Sequence, residues 1–544
     1  MKSEYDVVVV GSGFGGAITG CRLAQAGRSV CILERGRRWR KEDFPRTTGQ
    51  IARAFWRPGK TSGFIDYRVF KNIDVIQGSG VGGGSLHYFN VHLRTPQQIF
   101  VKPEWPVQIN RPIMDPYYDL VQDMLDAVPL IPPAGLGLPA RTEAFLSAAK
   151  GAGRQPELLH IAVYTGSPRE NPHGGVPQSP CDYSGNCLLG CQVHAKNTLD
   201  LNYIPLAETH GGEVFPLHLV DKIEPMGDQG YRVHFARYDP DDPQRRESGA
   251  VVGRQVVLAA GTLGTNELLL RCREVHRTLP GLSPALGQRF SGNGDFLLAG
   301  TMGANRVVDP ARGPSITAVA DFSTPANQIH IEDLGFPDPF VWMLEGAIPT
   351  SGRIRNLVLS LKNYLLASLG LHGGSSRISF ELGRLFTGGE TARFLPYLGM
   401  GTDAADGRCR LQNGRIDIAW SHRRSRQMFR EMEDALKTLS RELEGCYVTS
   451  ILWQWPLRKL LTAHPLGGCV MSEAPEKGVV NQWGQVWGYP NLYVADGSII
   501  PTALSVNPAM TISALAERIA FGMIHGREME PGDPETPSNR KKFI

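Results

Sequence analysis

The chain has 544 residues, of which 42% are hydrophobic and 20% charged, with a formal net charge of +4. This length allows two or more domains with large cores, and the composition is that of an ordinary globular protein. The small charge, without a basic stripe interleaved with aromatic residues, argues against nucleic-acid binding. No uncharged apolar run reaches 18 residues, so we expect no membrane-spanning helix.

The first predicted elements form a β-turn-α-β unit. A β-branched run at 5–10 leads into a glycine-rich turn at 11–16, a helical pattern and a second strand, SVCILE. Such a unit begins a parallel sheet. Because no secretory leader precedes this strand, we expect a cytoplasmic protein. The nine cysteines, an odd number in a chain of this length, argue against a full disulfide framework.

The turn at 11–16 matches the dinucleotide fingerprint G-x-G-x-x-G. Gly11 permits the tight turn, Gly13 lets the backbone approach a pyrophosphate, and Gly16 lets the helix pack closely on the strand. Glu34 ends the second strand, where a carboxylate can accept the ribose hydroxyls. The spacing predicts a nucleotide site but does not distinguish NAD from FAD.

Two further segments extend the predicted nucleotide site. The stretch GSGVGGGSLHYFN at 78–90 is a second glycine-rich loop that permits close approach of a ligand. Later in the chain, Asp496 and Gly497 form a turn at the end of a strand. Several separate contact segments suit a long, buried, non-exchanging cofactor better than a dissociating nicotinamide.

The remaining elements alternate between strands and helices. Residues 213–258 are predicted as strands of a meander, and 261–272 as a turn and helix. Strand-like pieces alternate with helices over 298–455, and 425–446 is a charged amphipathic helix. The segment 355–371 has apolar residues on one helical face. We interpret it as a core or lid helix, with contact to a membrane surface as the alternative.

The most distinctive polar chemistry lies near the C-terminus. His464 precedes Pro465 within AHPLGGCV, and Asn507 precedes Pro508 before an apolar helix. Proline biases the preceding residue away from helix, which places both side chains outside regular structure. An imidazole suits proton transfer, and an amide can donate to a developing alkoxide.

Three cysteines, Cys181, Cys187 and Cys191, lie within eleven residues. A zinc site would need a fourth ligand, for which His194 is close enough in sequence. An iron–sulfur site is the second reading, and free thiols with or without one disulfide are the third.

The chain resembles the glucose–methanol–choline (GMC) oxidoreductase family, and within it the cholesterol-oxidase-like branch. The matching segments are VVVVGSGFGGAITGCRLAQAG, GSGVGGGSL, AAGTLGTNELLLR, AHPLGGCV and NLYVADGSIIPTALSVNPAMTISALAER. The resemblance implies an α/β fold with bound FAD. It consists of a doubly wound, Rossmann-like FAD-binding domain and a discontinuous α+β substrate domain built on a β-sheet. The expected boundaries are 1–110, 181–297 and 455–529 for the FAD-binding domain, 111–180 and 298–454 for the substrate domain, and 530–544 for a flexible tail.

The resemblance also implies site residues. The catalytic histidine falls on His464, its partner on Asn507, and a substrate-domain carboxylate on Glu332, with Asp333 or Glu345 as alternatives. The expected cofactor contacts are Gly11, Gly13, Phe14, Gly15, Gly16, Glu34, Arg35, Gly80, Gly83, Gly84, Ser85, Asn90, Gly261, Asp496, Gly497, Asn507 and Met510. The sterol oxidases carry Asn-Gly-Gly where this chain has Tyr88, Phe89 and Asn90. We therefore expect Asn90 or a backbone group to replace that flavin contact.

The implied activity is FAD-dependent oxidation of a bulky hydrophobic alcohol, sterol-like, to a ketone. The alternative is a dehydrogenase of a polar polyol or sugar. There the resemblance to GMC-type sugar dehydrogenase subunits implies a [3Fe-4S] cluster on Cys181, Cys187 and Cys191. Such a cluster would pass electrons to a redox partner instead of oxygen. A third reading is a different flavin chemistry, such as fatty-acid decarboxylation, which retention of His464 and Asn507 disfavours.

Overall fold

The fold combines a mixed sheet with a separate antiparallel sheet. The computed structural model describes residues 1–57, 63–239, 242, 245–338, 340, 351–369, 371, 391–450, 452–454, 456–530 and 533. The strands, in chain order, are β1 (Glu4–Val10), β2 (Val30–Leu33), β3 (Ile65–Val69), β4 (Ile73–Gly78), β5 (Val128–Pro129), β6 (Glu157–Leu158), β7 (His160–Ile161), β8 (Arg169–Glu170), β9 (Pro177–Gln178), β10 (Glu213–Phe215), β11 (His218–Pro225), β12 (Tyr231–Tyr238), β13 (Arg246–Leu258), β14 (Gln288–Ser291), β15 (Phe296–Met302), β16 (Ala318–Asp321), β17 (Ile329–Asp333), β18 (Leu395–Gly401), β19 (Gly407–Gln412), β20 (Arg415–Ala419), β21 (Cys446–Thr449), β22 (Leu460–Thr462), β23 (Leu466–Gly468) and β24 (Leu492–Val494).

Helices cover both sheets. They are α1 (Phe14–Gln25), α2 (Gln97–Phe100), α3 (Arg111–Met124), α4 (Ala140–Gly151), α5 (Tyr203–Thr209), α6 (Gly261–Glu274), α7 (Ser351–Ser368), α8 (Arg426–Glu442) and α9 (Ala509–His525). Over the described ranges, no helix combines the length and apolar character that a membrane span requires.

The first sheet has seven strands and is parallel at its centre. Its order is β10-β2-β1-β13-β12-β11, with β24 pairing with β13. The strands β1, β2, β10, β13 and β24 run parallel, whereas β11 and β12 are antiparallel to their neighbours. The central strands are almost wholly buried and read as continuous Val, Ile and Leu runs, as expected for a parallel sheet covered on both faces.

Four loops lie at one edge of this sheet, because each follows one of its parallel strands. Gly11 follows β1, Glu34 follows β2, Ala259 follows β13 and Ala495 follows β24. Ligands of doubly wound sheets bind outside the carboxyl ends of the strands, where the order of the sheet reverses. The strand β1 lies between β2 and β13, so this reversal occurs beside Gly11.

The second large sheet is antiparallel, in the order β21-β15-β18-β17-β16-β6. The amphipathic helix α8 packs on it through the buried residues Met428, Phe429, Met432, Leu436 and Leu439. The spacing of these residues places them on one helical face, and the charged amphipathic helix predicted from the sequence is thereby confirmed. This sheet positions Glu332 on its central strand β17. The division of the chain into domains stays a prediction.

The helices α1 and α9 are held together by a buried ion pair. Both carboxylate oxygens of Glu517 accept hydrogen bonds from the Arg22 guanidinium, at 2.7 and 2.8 Å. The hydroxyl of Tyr203 donates a third bond to Glu517 at 2.7 Å. Both charged side chains are buried, so either would be left without a counter-charge if its partner were removed.

We expect Glu517→Ala to destabilise the protein by roughly 3–5 kcal/mol, because Arg22 would remain charged and buried. The matched control is Glu208→Ala, which removes an exposed ion pair with Arg38 and should change stability by less than about 1 kcal/mol. Thermal unfolding of both variants measures the difference. Equal melting temperatures for the two variants would contradict this account of the α1–α9 contact.

Candidate active site

A cavity of about 580 Å³ opens at the carboxyl ends of the parallel strands. Its walls come from the loops after β1, β2, β13 and β24, from the second glycine-rich loop, and from the segments around His464 and Asn507. Its volume falls within the usual range of small-molecule sites. The cavity therefore unites the N-terminal fingerprint with the C-terminal polar block.

The fingerprint loop leaves a helix N-terminus free to bind an anion. Gly13 is the N-cap of α1 and makes no side-chain capping bond, so the first N–H groups of the helix face the cavity with the positive end of the helix dipole. Gly11 has φ of 99°, and a Cβ there would lie 2.3 Å from the carbonyl oxygen of Ala259. A Cβ on Gly83 would lie 2.4 Å from the Cα of Gly13. Only glycine lets the two glycine-rich loops approach each other this closely.

Glu34 lies in the cavity wall but already accepts four hydrogen bonds from the protein. Its Oε2 accepts the N–H and the hydroxyl of Ser12 at 3.1 and 2.7 Å. Its Oε1 accepts the N–H groups of Gly36 and Gly80 at 2.9 and 3.0 Å. The carboxylate thus joins the two glycine-rich loops. The predicted bond to a ribose would require exchange with one of these donors, and it stays a prediction.

Asp496 ties the terminal strand to the N-terminus of α6. Its Oδ2 accepts the N–H of Gly261 at 3.0 Å and the hydroxyl of Thr265, and its Oδ1 accepts the N–H and hydroxyl of Ser498. Burial raises the pKa of Asp496, while these donors oppose the rise. Asp496 therefore holds the Asp496–Gly497 turn, which the sequence predicted to contact a cofactor.

The predicted cofactor residues fall into two sets. Those in the cavity wall are Gly11, Gly13, Phe14, Gly15, Glu34, Arg35, Gly83, Gly84, Gly261, Asp496, Gly497 and Asn507. Those outside the wall are Gly16, Gly80, Ser85, Asn90 and Met510. The second set supports the first: Gly16, for example, lies under the turn, where a Cβ would meet the carbonyl oxygen of Gly11 at 1.9 Å.

Asn90 is directed away from the cavity. Its backbone has φ of 70°, and its Nδ2 lies 3.2 Å from the thiol sulfur of Cys187. The neighbouring residues Tyr88 and Phe89 line the cavity instead. The structure therefore connects Asn90 with the cysteine-rich loop, and its expected contact with flavin stays a prediction.

His464 is held by a carboxylate that the sequence did not single out. Its Nδ1 lies 2.8 Å from Oδ1 of Asp295, a buried residue. The other oxygen of Asp295 accepts the hydroxyl of Thr462 and the N–H of Ala463, both at 2.9 Å. Because a carboxylate accepts, Nδ1 carries the hydrogen, and Nε2 is left as the proton acceptor of this cavity-lining side chain.

Asn507 pairs with Glu332, a contact that the sequence did not predict. The amide nitrogen of Asn507 donates to Oε2 of Glu332 at 3.3 Å, and Asn507 lines the cavity. Burial raises the pKa of Glu332 well above its usual range. The alternative Asp333 instead binds Arg141 and the hydroxyls of Thr142 and Thr317, and the alternative Glu345 lies outside the described residues.

One buried turn positions both catalytic candidates. Asn293 donates to the carbonyl of Val506 and accepts the N–H groups of Leu504 and Ser505, which fixes the loop before Asn507. Two residues later, Asp295 fixes His464. The turn 291–295, SGNGD, was missed because it reads as an ordinary loop between strands. The polar run SGNGD next to the apolar stretch FLLAG could have indicated that this turn has a buried role.

The three cysteines of the predicted cluster are free thiols. Burial raises the pKa of Cys181 and Cys191, and the neighbouring Cys187 raises both further, so the three lie close enough to interact. Among the described residues, no group of three or more His, Cys, Asp or Glu side chains is arranged to hold a metal ion. The side chains do not fit a cluster as they stand.

The geometry suits removal of a hydride and a proton from an alcohol. His464 offers an acceptor for the hydroxyl proton, and Asn507 has an amide that can contact the same oxygen. The anion-binding helix terminus and the glycine loops fit the pyrophosphate of FAD. A proton acceptor in such a cavity is compatible with flavin-dependent oxidation of an alcohol.

Comparison with known proteins identifies the family. The chain belongs to the GMC oxidoreductase family, whose two domain models match residues 6–273 and 411–516. It is 30% identical to the cholesterol oxidase of Acinetobacter baumannii, over 95% of this chain and 93% of that protein. It is 24% identical to the long-chain-alcohol oxidase FAO4A of Arabidopsis thaliana, over 96% and 69%.

The fold comparison agrees with this membership. Pyridoxine 4-oxidase from Mesorbium loti matches with a TM-score of 0.60 at 17% identity, over 96% of this chain and all of that chain. The predicted family, the α/β fold with an FAD-binding Rossmann-type domain and the alcohol-oxidising class are confirmed. FAD is the cofactor.

We expect Asp295→Asn to lower kcat roughly 10²- to 10⁴-fold, because the imidazole of His464 loses the acceptor that fixes its tautomer and orientation. The control is Ser291→Ala, which removes a hydroxyl that donates to Asp403 in the same turn and leaves the contact between Asp295 and the imidazole. Steady-state kinetics and flavin content are measured on both. Equal losses of kcat would attribute the effect to the turn and not to His464.

Proposed function

We propose that the enzyme oxidises the hydroxyl of a bulky hydrophobic alcohol, sterol-like, to a ketone. The observation that carries this proposal is the apolar lining beside His464 and Asn507. It includes Phe89, Leu297, Phe336 and Phe340. The rings of Phe89 and Phe336 meet edge to face at 5.7 Å. Such walls favour a substrate that buries apolar surface over a polyol that would lose its hydration.

The chain's own residues position the alcohol and manage its proton. Nε2 of His464 accepts the hydroxyl proton, and Asp295 stabilises the resulting imidazolium. The amide of Asn507, held by Glu332, contacts the oxygen as negative charge develops. The chemistry that bound FAD would supply is an acceptor for the hydride of the carbinol carbon. Similarity to cholesterol oxidase supports a sterol-like substrate, and similarity to a long-chain-alcohol oxidase supports a hydrophobic one more generally.

The proposed electron acceptor is oxygen or a redox partner. An iron–sulfur cluster in the cysteine-rich loop would favour the redox partner, and its absence would favour oxygen. A [3Fe-4S] relay is supported by the spacing of Cys181, Cys187 and Cys191 and by Leu188, which lines the cavity next to Cys187. Against the relay, the side chains of the three cysteines are not arranged to hold a metal ion among the described residues. Anaerobically purified enzyme with about three iron atoms per flavin would support the relay. Iron-free, fully active enzyme would exclude it.

We further propose contact with a membrane surface through α7. Leu361, Tyr364 and Leu365 lie on this helix and expose more than half of their side chains. Exposed apolar side chains on one helix can enter the boundary of a bilayer that holds a hydrophobic substrate. Co-sedimentation with vesicles should fall in Leu361→Glu/Leu365→Glu. Unchanged sedimentation would contradict the contact.

We expect His464→Ala and Asn507→Ala to lower kcat strongly while flavin content stays normal. The measurement mixes each protein anaerobically with a sterol, a long-chain alcohol or a sugar, follows bleaching of the flavin, and then admits oxygen. In the parent enzyme the sterol should bleach the flavin fastest. The control is His234→Ala, because His234 pairs with Glu224 away from the cavity. Bleaching by the sugar alone would overturn the proposed substrate, and near-normal turnover of both variants would overturn the proposed roles.

A further inference from the structure

The strand β17 and the residue before it contact the loop that carries Asn507 through three alternate side chains. Oε2 of Glu332 accepts the amide of Asn507 at 3.3 Å. Two residues earlier, Nδ1 of His330 lies 2.9 Å from the main-chain carbonyl oxygen of Ser505. Two residues earlier again, Oε1 of Gln328 accepts the hydroxyl of Ser505 at 3.3 Å. Alternate residues of a strand point to the same face, so these side chains hold the loop together.

The bond from His330 is the shortest of the three. A carbonyl oxygen only accepts, so Nδ1 of His330 carries the hydrogen and donates it. His330 does not line the cavity, whereas Asn507 does. His330 is therefore placed to act on the alcohol indirectly, through the main chain that connects Ser505 with Asn507.

Ser505 has a main-chain conformation that its residue type disfavours. Its φ is 59°, in the left-handed region, where residues with a Cβ are uncommon. Such a conformation persists when the surrounding structure holds it. Oδ1 of Asn293 accepts the N–H of Ser505 at 3.2 Å, and His330 binds the carbonyl oxygen of the same residue. Because φ and ψ at Ser505 direct the chain that follows, these two contacts determine where Asn507 lies.

The side chain of Asn507 depends on this support, because its own contact is weak. Its bond to Glu332 is long, at 3.3 Å, and a hydrogen bond of this length constrains an amide poorly. Oδ1 of Asn507 and Oε1 of Glu332 are buried and have no hydrogen-bond partner within the described residues. Contact with a developing alkoxide needs precise placement. The main chain must supply part of that precision.

We propose that His330 is a positioning residue of the reaction, whose Nδ1–H group holds the carbonyl oxygen of Ser505 so that the amide of Asn507 meets the substrate oxygen. The inference rests on the proposed role of Asn507 and deepens it, because that role then depends on a further residue of β17. It holds for any alcohol and for either electron acceptor.

Two substitutions separate the donor from the ring. In His330→Asn the amide nitrogen can take the place of Nδ1, because both atoms are bonded to Cγ, whereas His330→Phe keeps a ring without the donor. The matched control is His160→Phe. Nδ1 of His160 lies 3.2 Å from the main-chain carbonyl oxygen of Ala127, and His160 is half-buried like His330 but does not line the cavity.

The measurement is the rate constant of flavin reduction after anaerobic mixing with cholesterol, 1-hexadecanol or glucose, whichever reduces the parent enzyme fastest. The Kd for that alcohol, the flavin content and the melting temperature are measured alongside. We expect His330→Phe to lower the rate constant roughly three- to tenfold, as for loss of one hydrogen bond, with little change in Kd or flavin content. His330→Asn should recover most of the rate, and His160→Phe should keep all of it.

A merely structural role of His330 would give a different pattern. It would lower the flavin content and the melting temperature while each bound flavin was still reduced at the parent rate. That pattern, a normal rate in His330→Phe, or an equal loss in His330→Asn and His330→Phe would overturn the proposal.

A double-substitution cycle separates the inference from the role of Asn507 on which it rests. If His330 acts through Asn507, His330→Phe should slow flavin reduction no further in a protein that already carries Asn507→Ala. The same fold loss in both backgrounds would overturn the positioning role and leave Asn507 in place. A parent rate in Asn507→Ala alone would overturn the proposed role of Asn507, and the inference with it.

Discussion

The turn 291–295 is the constraint on which the active site depends. Asp403 accepts the hydroxyl of Ser291 and the N–H groups of Gly292 and Gly294, so the turn is held inside the protein. From this fixed position Asn293 binds the loop that carries Asn507, and Asp295 binds His464. The two catalytic candidates owe their relative placement to one short buried segment.

The loops that line the predicted cofactor part of the cavity also hold one another in place, through hydrogen bonds and close backbone contacts. Glu34 bonds to both glycine-rich loops, and Gly83 meets Gly13 at a distance that no larger residue allows. Lys196 donates to two carbonyls of the second loop, Leu86 and Tyr88, and to the carbonyl of Cys187, and so links that loop to the cysteine-rich segment. Preorganised loops of this kind reduce the entropy that a bound cofactor must overcome.

The sequence predicted local features well and distant pairings poorly. The fingerprint at 11–16 is a contiguous motif that its spacing located. The roles of His464 and Asn507 came from the family resemblance and stay predictions. Asp295 is 169 residues from His464, and nothing in its own segment indicates that partner. Asn90 has a positive φ and its Nδ2 lies 3.2 Å from the sulfur of Cys187, a contact that its own segment did not indicate. Backbone direction of this kind is set by tertiary packing.

The seven-stranded sheet also fixes when the cofactor can be captured. Its strand β24 spans Leu492–Val494 and pairs with β13, and the wall residues Asp496 and Asn507 follow it. A ribosome extends the chain from the N-terminus at about 5–20 residues per second. The nucleotide pocket therefore stays incomplete until the segment through Asn507 has been synthesised and has joined the sheet. The full set of cofactor contacts can form only after that point.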